Sequence, residues 1–198
     1  MTRFPFLSAM CMSICSAGSF ASANDTSLYA EALPEDVSFV RFFGYDYQDS
    51  AEFAGFTFDL IAEDANKYLP VAAADLDNVE AGSFVSILRD EKGTRIIVPE
   101  APRPRQSKVS LLLVNGSDRP LALRLADGSV PVIETVVPAA SALREVNPVA
   151  ITLGVFAADQ DTPIATFDVA LRRGQNVSFV ADGDGVRMIE NQFAPLAK

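Results

Sequence analysis

The chain has 198 residues, 26 acids against 16 bases, a formal net charge of −10, two cysteines, and neither histidine nor tryptophan. A surface this acidic is repelled by nucleic acid and by anionic lipid, which are bound through basic residues, so neither is expected as a partner. Without histidine there is no side chain that titrates near neutrality to activate a serine or cysteine, and zinc and copper lose their usual ligands. No catalytic residue, cofactor or metal site is therefore expected. Paired carboxylates, which suffice for glycosidase chemistry, stay open because acids are plentiful.

The first residues carry one cation, Arg3, then a mainly apolar stretch from Phe4 to Phe20, then Ala21, Ser22 and Ala23 in the small-x-small order that signal peptidases cleave. Residues 1–23 thus read as a signal peptide, with export and no membrane insertion after cleavage expected. Both cysteines, Cys11 and Cys15, lie inside this leader, preceded by Met10 and Ile14 where a lipoprotein site needs a small residue. The leader holds one of the 16 bases and none of the 26 acids, so the remainder carries −11. Without disulfides, that remainder must be stabilised by hydrophobic burial.

Residues 24–98 read as a first small β-domain. Val37, Phe39, Arg41 and Phe43 alternate with Ser38, Val40 and Phe42; Phe56, Phe58 and Leu60 alternate with Thr57 and Asp59; Phe84 to Leu88 leads through Lys92 and Gly93 into Arg95 to Val98. The stretch from Ala62 to Asp75 is interrupted by Pro70 and is assigned neither helix nor strand. Phe42, Phe43, Gly44, Tyr45, Asp46 and Tyr47 form an aromatic-rich run. Its phenylalanines read as core, whereas Tyr45 and Tyr47, beside Gly44 and Asp46, are expected at the surface as candidate partner-binding residues.

Residues 99–108, with Pro99, Pro102 and Pro104 among polar neighbours, read as a semi-rigid linker. It concentrates positive charge in Arg103, Arg105 and Lys108. Solvated linker charge is the plain reading; a docking point for an acidic partner, gripped bidentately by arginine, is the functional one.

Residues 109–198 read as a second β-domain of about seven short strands. Val109 to Val114 and Ile151 to Phe156 look buried on both faces. Leu121 to Leu125 turns through Asp127 and Gly128 into Val130 to Val137, and Phe167, Val169 and Leu171 alternate with polar or small neighbours. Val177 to Ala181 and Val186 to Ile189 complete the set. Two acidic loops, Asp159 to Asp161 and Asp182 to Asp184, could be taken for calcium ligands. Neither has the twelve-residue pattern ending in a bidentate glutamate, and Asp with Gly is what turns prefer. The whole is therefore expected to be all-β: two tandem small antiparallel β-sandwich (Ig-like) domains joined by a proline-rich linker.

The halves echo one another. Val37 to Val40 opens the first as Val109 to Leu112 opens the second, and Ser83 to Val85 followed by Gly93 to Ile96 answers Ser178 to Val180 followed by Gly185 to Met188.

An ordered series runs from Ser27 to Ala30 and Pro34, through Ser38 to Arg41, Leu111 to Ser117 and Leu121 to Gly128, to Arg144 to Val149. It resembles the alginate biosynthesis protein AlgF family over most of the chain after the leader, most densely from Val109 to Phe156, and matches it loosely between Phe42 and Val79. The resemblance implies a periplasmic component of alginate O-acetylation. The partners it implies are a membrane-bound O-acyltransferase and periplasmic SGNH-type acetyltransferases that acetylate O-2 and O-3 of mannuronate. With no active site carried over, a non-catalytic adaptor is expected. The alternatives are a carbohydrate-binding module that presents alginate to those enzymes, and a direct acetyl carrier or transferase.

Overall fold

The computed structural model describes residues 33–102 and 108–197. The expected leader and residues 103–107 lie outside the described residues. Among those described there is no α-helix; fourteen strands form three four-stranded sheets and one hairpin.

In the first half, strands β1 (Val37–Phe42), β2 (Ser50–Phe53), β3 (Phe56–Asp59), β4 (Leu69–Ala72), β5 (Phe84–Arg89) and β6 (Arg95–Glu100) follow one another. They build a sheet in the order β4-β1-β5-β6, over which the β2-β3 hairpin lies. Between hairpin and sheet sits a core of Val40, Phe42, Phe53, Phe58, Leu60, Val71, Val85 and Ile87. The stretch left without an assignment resolves into two short 3-10 turns, Ala62–Asp64 and Ala73–Asp75, flanking β4. Pro70 is tolerated in β4 because it is the outermost strand of this ladder, where a missing N–H costs no sheet bond. The same reasoning explains Pro99: β6 is the opposite outer strand and runs on to Glu100, so the first two residues expected in the linker belong to the sheet.

The second half adds β7 (Val109–Asn115), β8 (Leu121–Leu125), β9 (Pro131–Val136), β10 (Ala140–Val146), β11 (Ala150–Ala157), β12 (Pro163–Ala170), β13 (Asn176–Asp182) and β14 (Gly185–Glu190). They form two sheets, β10-β7-β13-β14 and β12-β11-β8-β9, closed over a core of Leu111, Leu113, Leu123, Val155 and Phe179 among others. The β8-β9 hairpin is present, with Gly128 at a φ of 76° and the Asp127 carboxylate accepting from the Ser129 amide and hydroxyl. Strand β10 gave no signal in the sequence: Ala, Ser, Arg and Glu make up most of it, and no residue of it is fully buried.

Both halves contain the same ladder. In β4-β1-β5-β6 and in β10-β7-β13-β14 the two central strands are parallel and the outer pairings antiparallel. The sequence echo thus falls on equivalent strands, β1 with β7 and β5 with β13. The register differs by two residues, since Phe39 pairs with Phe84 whereas Leu113, not Leu111, pairs with Phe179.

These two ladders pack face to face. Phe43, Leu88 and Val98 from the first meet Leu112, Val114 and Val180 from the second, giving a third apolar layer between the sandwiches. This stacking is why β7 is buried at all seven positions, as its nearly unbroken apolar sequence suggests. The segment after β14 also crosses between halves. The Tyr68 amide donates to Gln192 O at 2.9 Å, Ala194 N to Tyr68 O at 2.8 Å and Ala197 N to Pro70 O at 2.7 Å, so residues 192–197 run beside β4.

Candidate functional site

The two ladders enclose a polar cluster centred on Arg41. Alternation along β1 sends Val40 and Phe42 toward the hairpin and Arg41 and Phe43 toward the second half. Arg41 is fully buried. Its Nη2 donates to Glu100 Oε1 at 2.8 Å and to Ser178 Oγ at 3.0 Å, its Nη1 to Asn191 Oδ1 at 2.8 Å, and its Nε to Ser86 Oγ at 2.7 Å. The guanidinium carbon lies 4.3 Å from the Tyr68 ring centroid and 5.0 Å from that of Phe43. Glu100 also accepts from the Tyr68 hydroxyl at 2.5 Å and from the Ser86 hydroxyl. The two charges offset one another's desolvation, and each is held by further hydrogen bonds.

A serine beside a carboxylate and an arginine invites comparison with acyl-transfer chemistry. Here neither the Arg41 nor the Glu100 side chain has any solvent exposure, and Ser86 and Ser178 are equally sealed. Neither a polymer nor an acyl donor can reach them. The cluster fixes how the two ladders meet.

A second feature opens at the end of the stack where loops from both halves converge. The β5-β6 turn (residues 90–94), the β7-β8 loop (residues 116–120) and the β13-β14 turn (residues 183–184) surround a cavity of about 150 Å³. Two glycines shape its floor by close approach. A Cβ on Gly183 would stand 2.6 Å from the Asp90 carbonyl carbon and oxygen, and one on Gly116 would stand 2.9 Å from Ala181 O. Gly183 N donates to Arg89 O at 3.0 Å and Gly116 N to Ala181 O at 2.8 Å, so the first of these bonds ties the two halves together. The Asp90 carboxylate accepts from Thr94 N and Lys92 N, and those bonds hold its pKa below the ordinary value. Asp182 is pulled two ways. Burial raises its pKa, while Arg187, which pairs with it, pulls the other way, and burial is the stronger. Leu121, Ile164 and Val186 give the cavity an aliphatic wall, and Glu91, Lys92, Asp118 and Arg119 stand exposed at its rim.

The residues singled out from sequence do not gather here. Tyr45 is half-buried rather than exposed, with its ring 5.3 Å from Phe42 and under the Arg89 guanidinium at 4.3 Å. Tyr47 is also half-buried: its hydroxyl donates to Phe42 O at 2.8 Å and accepts from Asn66 N at 3.0 Å, and burial raises its pKa. The expectation that these rings stand free at the surface is corrected, because the hairpin and the 3-10 segment fold over them. Lys108 donates to Asn147 Oδ1 at 2.6 Å, with no hydrogen bond or ring contact to either tyrosine. Arg103 and Arg105 lie outside the described residues. Among the described residues no group of three or more acids is placed to hold a metal ion, and Asp182 is engaged with Arg187 and Asp184 N.

Sequence reasoning missed Arg41 as a special residue. A usable signal existed: β1 is apolar at both parities, so a cation within it has no watery face to turn to. The cavity gave no such signal, because its parts are three turns far apart in the chain, at residues 90–94, 116–120 and 183–184.

The fold and its sites define a layered all-β protein whose convergent polar side chains are sealed between sheets and whose open cavity is built from loops of both halves. Comparison with known proteins gives it a family. Residues 9–178 match the family model described as "Alginate O-acetyl transferase AlgF", and the chain belongs to the AlgF family. It is 25% identical over 193 residues to the alginate biosynthesis protein AlgF of Pseudomonas fluorescens, covering 88% of this chain and 84% of that one. It is 27% identical over 191 residues to the protein of the same name from Azotobacter vinelandii, covering 88% and 83%. Among solved structures it is similar to the C-terminal domain of AlgF from P. aeruginosa, at 25% identity over 46% of this chain and 99% of that one, with a TM-score of 0.36.

Proposed function

We propose that this chain is an exported, periplasmic, non-catalytic adaptor of alginate O-acetylation, bringing together the enzymes that transfer acetyl groups to O-2 and O-3 of mannuronate. Its partners are periplasmic SGNH-type acetyltransferases and a membrane-bound O-acyltransferase. Membership of the AlgF family supports the process. The observation that favours an adaptor over a transferase is the burial of Ser86, Ser178, Glu100 and Arg41 together between the ladders, out of reach of any substrate. With no histidine in the chain, an exposed serine has no ready base. The many acids keep the protein soluble and set a field that favours basic protein surfaces.

Deletion of the gene tests the reading. Polymer should still be made but should lose its O-acetyl groups, measured by NMR of the secreted polysaccharide, and a full-length copy should restore them. Normal acetylation in the deletion strain would sink the proposal. A covalent acetyl-protein found by mass spectrometry during turnover would replace it with the carrier reading.

A further inference from the structure

The cavity where the loops of the two halves converge has three features that together describe an occupant. Its wall is aliphatic, from Leu121, Ile164 and Val186, and Ile164 remains 40% exposed. At its rim, Glu91 and Asp118 are exposed and, among the described residues, make neither hydrogen bond nor ion pair through their carboxylates, whereas Asp90 and Asp182 are engaged by turn amides and by Arg187. Its floor is fixed by Gly116 and Gly183, whose Cβ positions are already filled by neighbouring atoms. The shape is therefore preformed, and binding need not order the loops.

Resting on the adaptor reading, we propose that this cavity is the docking site for a lysine or arginine side chain on a loop of a partner acetylation enzyme, with its methylene stem on Leu121, Ile164 and Val186 and its charged head at Glu91 and Asp118. Such a side chain is the one type that carries a long apolar stem and a cation together. The sign follows from the charges present. With Asp182 matched by Arg187, the cavity sets Asp90, Glu91 and Asp118 against Lys92 and Arg119, in a chain of net charge −10. An acidic loop or a uronate would enter against that field. Lys92 and Arg119 at the same rim supply register, selecting a loop that places an acid beside its cation. Because both halves contribute to the cavity, the partner reads the assembled protein and not either sandwich alone.

Glu91→Lys combined with Asp118→Lys tests this in the full chain, with Glu63→Lys combined with Glu134→Lys as a charge-matched control on exposed residues elsewhere. Binding is measured to each purified acetylation enzyme of the same organism. The cavity variant should lose about tenfold or more in affinity, chiefly through slower association, and wild-type binding should weaken as salt rises from about 50 to about 300 mM. The control should bind like wild type. Ile164→Asn, at an exposed strand position, removes part of the aliphatic wall without adding a charge and should also weaken binding. The proposal is overturned if the cavity variant binds as tightly as wild type, or if oligomannuronate shifts the NMR signals of Lys92, Ser117 and Gly183, which would make the cavity a glycan site. Acetylation in cells separates this failure from that of the adaptor reading: a deletion that abolishes acetylation, with a fully active cavity variant, overturns the docking site alone.

Discussion

Arg41 and Glu100 are paired at 2.8 Å with neither side chain exposed to solvent, one on a central strand and the other at the end of an outer strand of the first ladder. Because Arg41 also reaches Ser178 and Asn191, this one guanidinium joins both halves of the chain. Replacing Arg41 with methionine leaves Glu100 buried without its counter-ion and should cost about 3–5 kcal/mol of stability. The double variant Arg41→Met with Glu100→Gln should recover part of that loss. Chemical denaturation of the two single variants and the double gives the coupling energy, and purely additive losses would contradict the pairing argument.

Gly183 has no room for a side chain. Gly183→Ala should cost about 1–3 kcal/mol, because the atoms in the way are the Asp90 backbone and not a flexible side chain. Gly82→Ala is the comparison: nothing lies within 4 Å, so its cost comes only from its φ of 78° and should be about 1 kcal/mol. Hydrogen exchange at the residue 183 amide, bonded to Arg89 O, should accelerate in the first variant and stay unchanged in the second.

The last residues act as a strap for the first ladder. Truncation after Glu190 removes three main-chain bonds to Tyr68 and Pro70, the packing of Phe193 against Tyr68 at 5.5 Å, and the Asn191 acceptor of Arg41. At ~1 kcal/mol for each main-chain bond, the loss should be roughly 3 kcal/mol or more. The Tyr68 amide should lose its exchange protection. An unchanged melting temperature would show that this segment contributes nothing to the first half.

The carboxylates pull stability in opposite directions with pH. Asp90 and Asp127 are held low by turn hydrogen bonds, so what they contribute is present above the ordinary aspartate pKa and is lost as pH falls through their lowered values. Asp90→Asn and Asp127→Asn should therefore be less stable than wild type near neutrality, with the gap closing in acid. Asp182 is raised by burial, so its favourable contribution belongs to low pH and is lost as pH rises through its raised value. Relative to wild type, Asp182→Asn should gain as pH rises. Urea midpoints from about pH 3 to 7 read both trends, and parallel trends in the three variants would refute the assignment.

The all-β class, the buried character of β7, the Asp127-Gly128 hairpin and the echo between halves were legible from residue order, because alternation and turn chemistry are local properties; β11 is buried only from Leu153 onward, with Thr152 exposed and Ile151 half-buried where full burial was expected. Strand β10 was not legible, since its residues have weak β preference and it forms by pairing with β7 along seven residues. Tyr45 and Tyr47 were misplaced for the complementary reason. Gly and Asp neighbours describe the local chain, not what folds over it, and the hairpin and Asn66 come from elsewhere in the sequence.

What the sequence determined by itself was therefore periodicity, charge sign and the absence of a neutral-pH base, all of which can be read without knowing which strands meet. Only the tertiary structure decided that the two ladders stack, that Arg41 lies sealed between them, and that turns from both halves close around one cavity. Those outcomes depend on contacts across as many as 150 positions, such as Arg41 to Asn191, and long-range pairing leaves no periodic trace in the strands that take part.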